Sequence, residues 1–143
     1  MNLFEPKAVW LDEYSIGIAV LDVQHQQLFK LLDKVHALVH LEPVQALKAF
    51  PDILDRLNEY VAYHLMTEET LMKKHLPADE DMVAHMTAHR IYWQRIVEFK
   101  ERLARHDIEV VAALVAFLDH WWSDHVLGRD RVLGERLREK GLR

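Results

Sequence analysis

The sequence predicts an all-α protein built as an antiparallel up-down-up-down four-helix bundle. Apolar residues recur three or four positions apart along most of the chain, the breaks between these stretches are short, and no strand pattern of strict alternation is present. With 143 residues, half of them hydrophobic, the chain has the size of one domain over 1–143 and can bury a core.

The helices follow in order, each with one apolar stripe. Asp22 is a suitable N-cap for the first helix, because its side-chain oxygen can accept a backbone N–H. Pro43 opens the second helix, Pro51 predicts an early kink or restart, and Pro77 ends it. Gly128 is expected to stop the fourth helix. The predicted bounds are 22 to about 41, 43 to about 75, about 79 to 105, 107 to about 127 and, for a short closing helix, 131 to 140, after an N-terminal loop of some twenty residues.

The composition excludes several classes of function. Eighteen basic residues, scattered among 23 acidic ones, leave no surface for nucleic acid. The absence of cysteine excludes thiolate zinc sites, iron–sulfur clusters and cysteine nucleophiles, so any metal would have nitrogen and oxygen ligands. No window resembles a membrane span or a secretory signal, so we expect a cytoplasmic protein without membrane insertion.

Each of the four stripes is interrupted by polar residues that a core normally avoids. A spacing of four places His64 with Glu68, and His85 with His89, on one helix face and one turn apart. In an antiparallel bundle all these positions fall at the same end. The interrupting residues are His25, His64, Glu68, His85, His89 and His125.

Asp130 follows His125 by five residues, which is a step of about 500° on a continuing α-helix. On such a helix the two side chains would point in different directions. We therefore expect the fourth helix to stop between them, with a turn after Gly128 that brings Asp130 back over the bundle end.

A buried histidine or glutamate on its own is usually satisfied by ordinary hydrogen bonds. Seven such groups without partners, at about 1–3 kcal/mol each, would consume the 5–15 kcal/mol (roughly) that stabilises a whole domain. A metal centre removes this conflict by turning the groups into ligands. Five imidazoles and two carboxylates are too many for one tetrahedral zinc and suit two adjacent metals bridged by the carboxylates.

These residues resemble the bacterial hemerythrins, a family of non-haem di-iron oxygen-binding bundles, over almost the whole chain. Each motif is weak alone, but the set in this order is specific. The motifs are Trp10 ahead of Ser15-Ile16-Gly17, Leu21-Asp22-Val23-Gln24-His25, His64-x3-Glu68-Glu69, His85-x3-His89, and His125-x4-Asp130 preceded by Trp121.

The resemblance implies two iron ions with an oxo or hydroxo bridge. One iron would be bound by His85, His89 and His125, the other by His25 and His64, with Glu68 and Asp130 bridging them. Dioxygen would bind at the iron with two histidines, in a pocket of apolar residues within one turn of the ligands: Leu28, Leu65, Tyr92, Trp121, Trp122 and Val126.

The resemblance also implies reversible binding of dioxygen, for transport or storage, by a protein that is not an enzyme and whose protein recipient is unknown. Two alternatives stay open, namely a sensor of oxygen, redox state or nitric oxide, and an oxidase or peroxidase on the same centre. Catalytic ferritin-like bundles use Glu-x-x-His pairs, and this chain contains none.

Two positions depart from the usual pattern of the family. Trp122 stands where relatives commonly have a leucine, and we hypothesise that it gates the pocket. Tyr92 stands where phenylalanine is common, and its hydroxyl would either meet a bound oxygen species or point to solvent.

Overall fold

The computed structural model describes residues 12–143, and within this range it is an antiparallel four-helix bundle without strands. The all-α prediction is therefore confirmed. Two short 3-10 turns, Asp12–Tyr14 and Leu38–His40, flank the first helix. The long helices are α1 (Ala19–Ala37), α2 (Pro43–His75), α3 (Glu80–Ala104) and α4 (Val110–Asp124), and a π-helical turn (His125–Asp130) joins α4 to the short α5 (Arg131–Glu139).

The prediction of Asp22 as the N-cap of the first helix is wrong. The helix begins three residues earlier, and Asp22 lies in its first turn, where its carboxylate accepts the backbone N–H of Ile16 at 2.8 Å and the hydroxyl of Ser15. Asp22 thus ties the preceding segment to the helix. Of the predicted N-terminal loop, residues 1–11, including Trp10, lie outside the described residues.

The second helix is one continuous element of 33 residues that neither stops nor restarts at Pro51. Pro43 occupies its first turn, where a missing N–H is not needed. The third helix begins as expected, because the Asp79 carboxylate accepts the N–H of Asp81 at 2.8 Å.

The expected stop at Gly128 is wrong. The backbone continues from His125 to Asp130 as a π-helical turn and enters α5 without a break. In a π-helix the hydrogen bonds run between residues five apart, so residue 130 comes to lie over residue 125. The wider turn therefore places Asp130 on the same face as His125. We had expected a helix end to bring these two side chains together, and the π-helical turn does so instead.

Two apolar clusters divide the bundle into a body and an end. The larger cluster contains residues such as Leu28, Leu65 and Trp122, and the smaller one joins Met72 and Leu133 at the bundle end. On α1, α2 and α3, and along the π-helical turn, the polar residues lie between members of the two clusters, so they form a buried polar layer across the bundle. No helix of the described residues is long and apolar enough to cross a membrane.

Candidate metal centre

All seven residues expected to bind metal converge in this polar layer, and none is more than 3% exposed. Each of α1, α2 and α3 contributes at least one of them, and the π-helical turn that follows α4 supplies the last two. They are His25 on α1, His64 and Glu68 on α2, His85 and His89 on α3, and His125 and Asp130 on the π-helical turn.

The seven side chains form two groups that share Glu68. In each group one nitrogen or oxygen atom per residue lies within 4.8 Å of the others, which is close enough for a single ion to contact all of them. One group has three imidazoles and the other has two. The first group is Glu68, His85, His89 and His125, and the second is His25, His64, Glu68 and Asp130.

Each carboxylate turns one oxygen toward each group. Glu68 places Oε1 2.8 Å from Nε2 of His64 and Oε2 3.0 Å from Nε2 of His85. Asp130 places Oδ2 3.0 Å from Nε2 of His25 and Oδ1 3.1 Å from Nε2 of both His85 and His125. This is the arrangement of two carboxylates that bridge a pair of adjacent metal ions.

The donor set fits metal ions better than a network of hydrogen bonds. The Nε2 atoms of His85 and His89 lie 3.0 and 3.1 Å from Nε2 of His125, and neighbouring ligands of an octahedral ion at about 2.1 Å are about 3.0 Å apart. Both oxygens of Glu68 and of Asp130 are buried without a hydrogen bond of normal geometry among the described residues. Buried anions of this kind are costly unless a cation binds them.

The members of the cluster set each other's charge. Burial would raise the pKa of the Glu68 and Asp130 carboxyls, but the nearby imidazoles hold both pKa values well below their ordinary range. Burial also favours neutral His85, yet the adjacent carboxylates of Asp130 and Glu68 raise the pKa of its imidazole to about 9. For His64, burial lowers the pKa of the imidazole, and this effect is larger than the opposing effect of the Glu68 carboxylate. Metal ions need ionised carboxylates and neutral imidazoles, so their binding would displace protons from the cluster.

Two residues outside the cluster hold ligand imidazoles in orientation. The Nδ1 atom of His64 lies 2.7 Å from Oε1 of Gln24, and that of His89 lies 2.8 Å from Oε2 of Glu69. These contacts leave Nε2 of each ring facing the cluster. Neither Glu69 nor Gln24 stands at a ligand spacing in the sequence, so sequence reasoning assigned neither residue a definite role.

The apolar residues expected near the cluster lie on the side of the bundle body. Trp122 is fully buried, and its ring centre lies 6.1 Å from that of His64 and 5.9 Å from that of His125, so it borders both groups. Leu28, Leu65 and Val126 are buried beside it in the same apolar cluster.

Tyr92 and Trp121 complete this wall in different ways. Tyr92 is fully buried, so its hydroxyl points into the protein and not to solvent, and it has no hydrogen-bond partner of normal geometry among the described residues. Burial raises the pKa of Tyr92 and keeps the phenol protonated. Trp121 is half-buried and stacks on the His125 ring with centres 4.3 Å apart and an interplanar angle of 17°.

A comparison with protein families matches residues 16–137 to the family model described as the hemerythrin HHE cation binding domain. This range contains all seven residues of the cluster and ends within α5.

Individual relatives match over most of their length. The chain is 25% identical to a bacteriohemerythrin of Stenotrophomonas maltophilia over 130 residues, which are 91% of this chain and 81% of the relative. It is 26% identical to a bacteriohemerythrin of Clostridium acetobutylicum over 125 residues, which are 86% and 95% of the two chains. A crystal structure described as a leucine-to-phenylalanine mutant has the same fold, with a TM-score of 0.76, 24% identity, and coverage of 93% of this chain and 98% of the other.

Proposed function

Because the chain belongs to the hemerythrin HHE cation-binding family, we propose that it binds dioxygen reversibly at a non-haem di-iron centre, as a carrier or store and not as an enzyme. One histidine-rich group, with His85, His89 and His125, holds the first iron. His25 and His64 hold the second iron, with Glu68 and Asp130 between the two ions.

The unequal number of imidazoles in the two groups is the observation that carries this proposal. Three imidazoles and two shared carboxylates leave little room for a further ligand on the first iron. The group of His25 and His64 offers one imidazole fewer, so an ion held there would have a position left for a small molecule. Trp122 lies against His64 and closes this side of the cluster with an apolar surface.

Iron bound by these residues would supply the redox chemistry for reversible binding of dioxygen. The protein contributes the ligands, the charge balance and the exclusion of water. Two ionised carboxylates offset part of the metal charge in a layer where uncompensated charge is costly. Neutral imidazoles are good ligands for iron.

The residues around the second group favour reversible binding over turnover. Leu28, Leu65, Trp122 and Val126 are at most 2% exposed, so they keep bulk water from the centre. Water and protons would promote irreversible oxidation of the metal. The Tyr92 phenol has its pKa raised by burial, so it serves as a hydrogen-bond donor and does not release its proton readily.

The proposal is tested by the visible absorption of protein loaded anaerobically with ferrous iron, measured before exposure to air, after it, and after purging with argon. We expect an absorption band that appears in air and bleaches on purging. A band that persists after purging, or a ferric spectrum with peroxide or water as product, would contradict a carrier and favour an oxidase, a peroxidase or a sensor. The absence of any iron-dependent band would refute the di-iron centre.

A further inference from the structure

Two surface cavities lie over the three-imidazole group, on either side of Asp124 and Arg129. The first has a volume of about 380 Å³, and its lining includes Asp81 and His85. The second has a volume of about 270 Å³, and its lining includes His120 and His125. Asp124 and Arg129 line both cavities, and each cavity reaches one of the candidate ligands.

The floor of the first cavity carries an unsatisfied polar group. His85 is 1% exposed, its Nε2 faces Glu68 and Asp130, and its Nδ1 is buried without a hydrogen-bond partner among the described residues. Nδ1 of His25 is likewise buried without a partner in the described part of the chain, whereas Nδ1 of His64 and of His89 each meet a side-chain oxygen. Because Nε2 faces the cluster, Nδ1 faces away from it, and His85 is among the residues that line the cavity.

The rim of the cavities carries a carboxylate and an imidazole one helical turn apart. Nε2 of His120 lies 3.4 Å from Oδ2 of Asp124, and the two side chains are 83% and 75% exposed. Imidazole and carboxylate are both ligands for ferrous iron. Asp81, across the first cavity, is bonded to Arg136 at 2.9 Å, so its charge is already compensated.

We propose that Asp124 and His120 form a loading port that captures ferrous iron at the surface and passes it to His85 and His125. The inference rests on the proposed metal centre, but it is independent of dioxygen binding. Because all seven ligands are buried, iron must cross the protein surface to reach them. At both cavities this surface opens onto a ligand imidazole beside an exposed carboxylate.

Charge at the rim sets the rate of uptake in this proposal. The carboxylate of Asp124 raises the local concentration of a divalent cation, whereas the guanidinium of Arg129 lowers it. Arg129 is exposed and forms no ion pair among the described residues, so its charge acts in full on an approaching cation. Removal of the two charges must therefore change the uptake rate in opposite directions.

The test mixes the metal-free full-length protein with excess ferrous iron under anaerobic conditions and follows quenching of tryptophan fluorescence, because Trp121 stacks on His125. We expect Asp124→Asn to slow uptake about fivefold and Arg129→Gln to accelerate it. Asp55→Asn is the matched control, since it removes another exposed carboxylate, on α2, about 13 residues or 20 Å from Glu68 along the helix. Circular dichroism of each metal-free variant checks that it is folded.

A port changes uptake and release by the same factor, because the same barrier is crossed in both directions. Asp124→Asn should therefore also slow the loss of iron to a chelator about fivefold, with unchanged iron per chain and unchanged affinity. If Asp124→Asn took up ferrous iron at the same rate as Asp55→Asn, the proposal of a loading port would be wrong. A lower affinity at an unchanged uptake rate would do the same, because it would make Asp124 part of the binding site. A wild-type protein that takes up no iron would instead refute the metal centre itself, and the port with it.

Discussion

Trp122 borders both halves of the candidate metal centre, and it fills the space beside the position proposed for dioxygen. The hypothesis that it gates the pocket follows from its size and complete burial. A leucine at this position would leave a passage to the cluster that the indole now closes.

We predict that Trp122→Leu raises the rates of oxygen association and dissociation about tenfold and accelerates autoxidation, because water reaches the centre through the same passage. Stopped-flow mixing of the ferrous protein with oxygen measures the first two rates. Trp93→Leu is the matched control, since Trp93 packs on the edge of the same apolar cluster. Equal rates of oxygen association and dissociation in wild type and Trp122→Leu would contradict the hypothesis that Trp122 gates the pocket.

The contact between Glu69 and His89 is a second feature at the scale of a residue. A carboxylate on Nδ1 fixes the ring orientation and increases the basicity of the nitrogen that faces the metal. Glu69 follows Glu68 directly in the sequence, and its spacing alone fits an exposed residue equally well. Only the packing of α2 against α3 decides that it reaches His89.

We predict that Glu69→Leu lowers the affinity for ferrous iron by roughly 10- to 100-fold, whereas Glu69→Gln, which keeps an acceptor oxygen, retains most of it. Competition with a chelator of known affinity measures the difference. If the leucine and glutamine variants bound iron equally well, the hydrogen bond to His89 would have no role in holding the metal.

At the scale of secondary-structure elements, the apolar spacing of the sequence predicts the four helices well, because each helix buries one stripe over several turns. The placement of six ligands at one end of the bundle follows from the same spacing and the antiparallel order. The register of Asp130 does not follow from it, because a π-helical turn and a helix stop both bring residue 130 back toward residue 125. Gly128 favours the stop in sequence, and the structure contains the turn.

The two glycines near this turn provide a test of that difference. A Cβ atom on Gly128 would meet nothing within 4 Å, whereas one on Gly134 would lie 2.3 Å from the carbonyl oxygen of Ile16. We predict that Gly128→Ala raises the free energy of unfolding by about 0.5–1 kcal/mol, because alanine loses less backbone entropy in a helix. Gly134→Ala should lower it by about 1–3 kcal/mol through overpacking.

Thermal or urea unfolding of both variants measures these changes. A loss of stability in Gly128→Ala would indicate that Gly128 needs the left-handed backbone conformation of a helix C-terminus, as the sequence suggested. That result would contradict the π-helical turn at His125–Asp130.

At the scale of the whole molecule, the polar layer separates the two apolar clusters, so its stability decides whether the bundle end stays attached to the bundle body. Without metal, the layer contains two buried carboxylates whose oxygens have no hydrogen bond of normal geometry among the described residues. Metal ions that bind only the folded state stabilise it by mass action.

We therefore predict that removal of iron lowers the melting temperature by about 10 °C or more, which corresponds to metal at about 1,000 times its dissociation constant and to a few degrees per kcal/mol. Differential scanning calorimetry of the loaded, stripped and reloaded protein measures this effect. Reloading should restore the original transition. Identical melting of the stripped and loaded forms would argue against a metal centre inside the bundle.

The number of ferrous ions bound per chain tests the central claim most directly, because two groups of ligands that share a carboxylate require two ions. An anaerobic titration of the metal-free protein, followed by elemental analysis after desalting, should give two iron ions per chain. A value of one, or no retained iron, would contradict the di-iron centre.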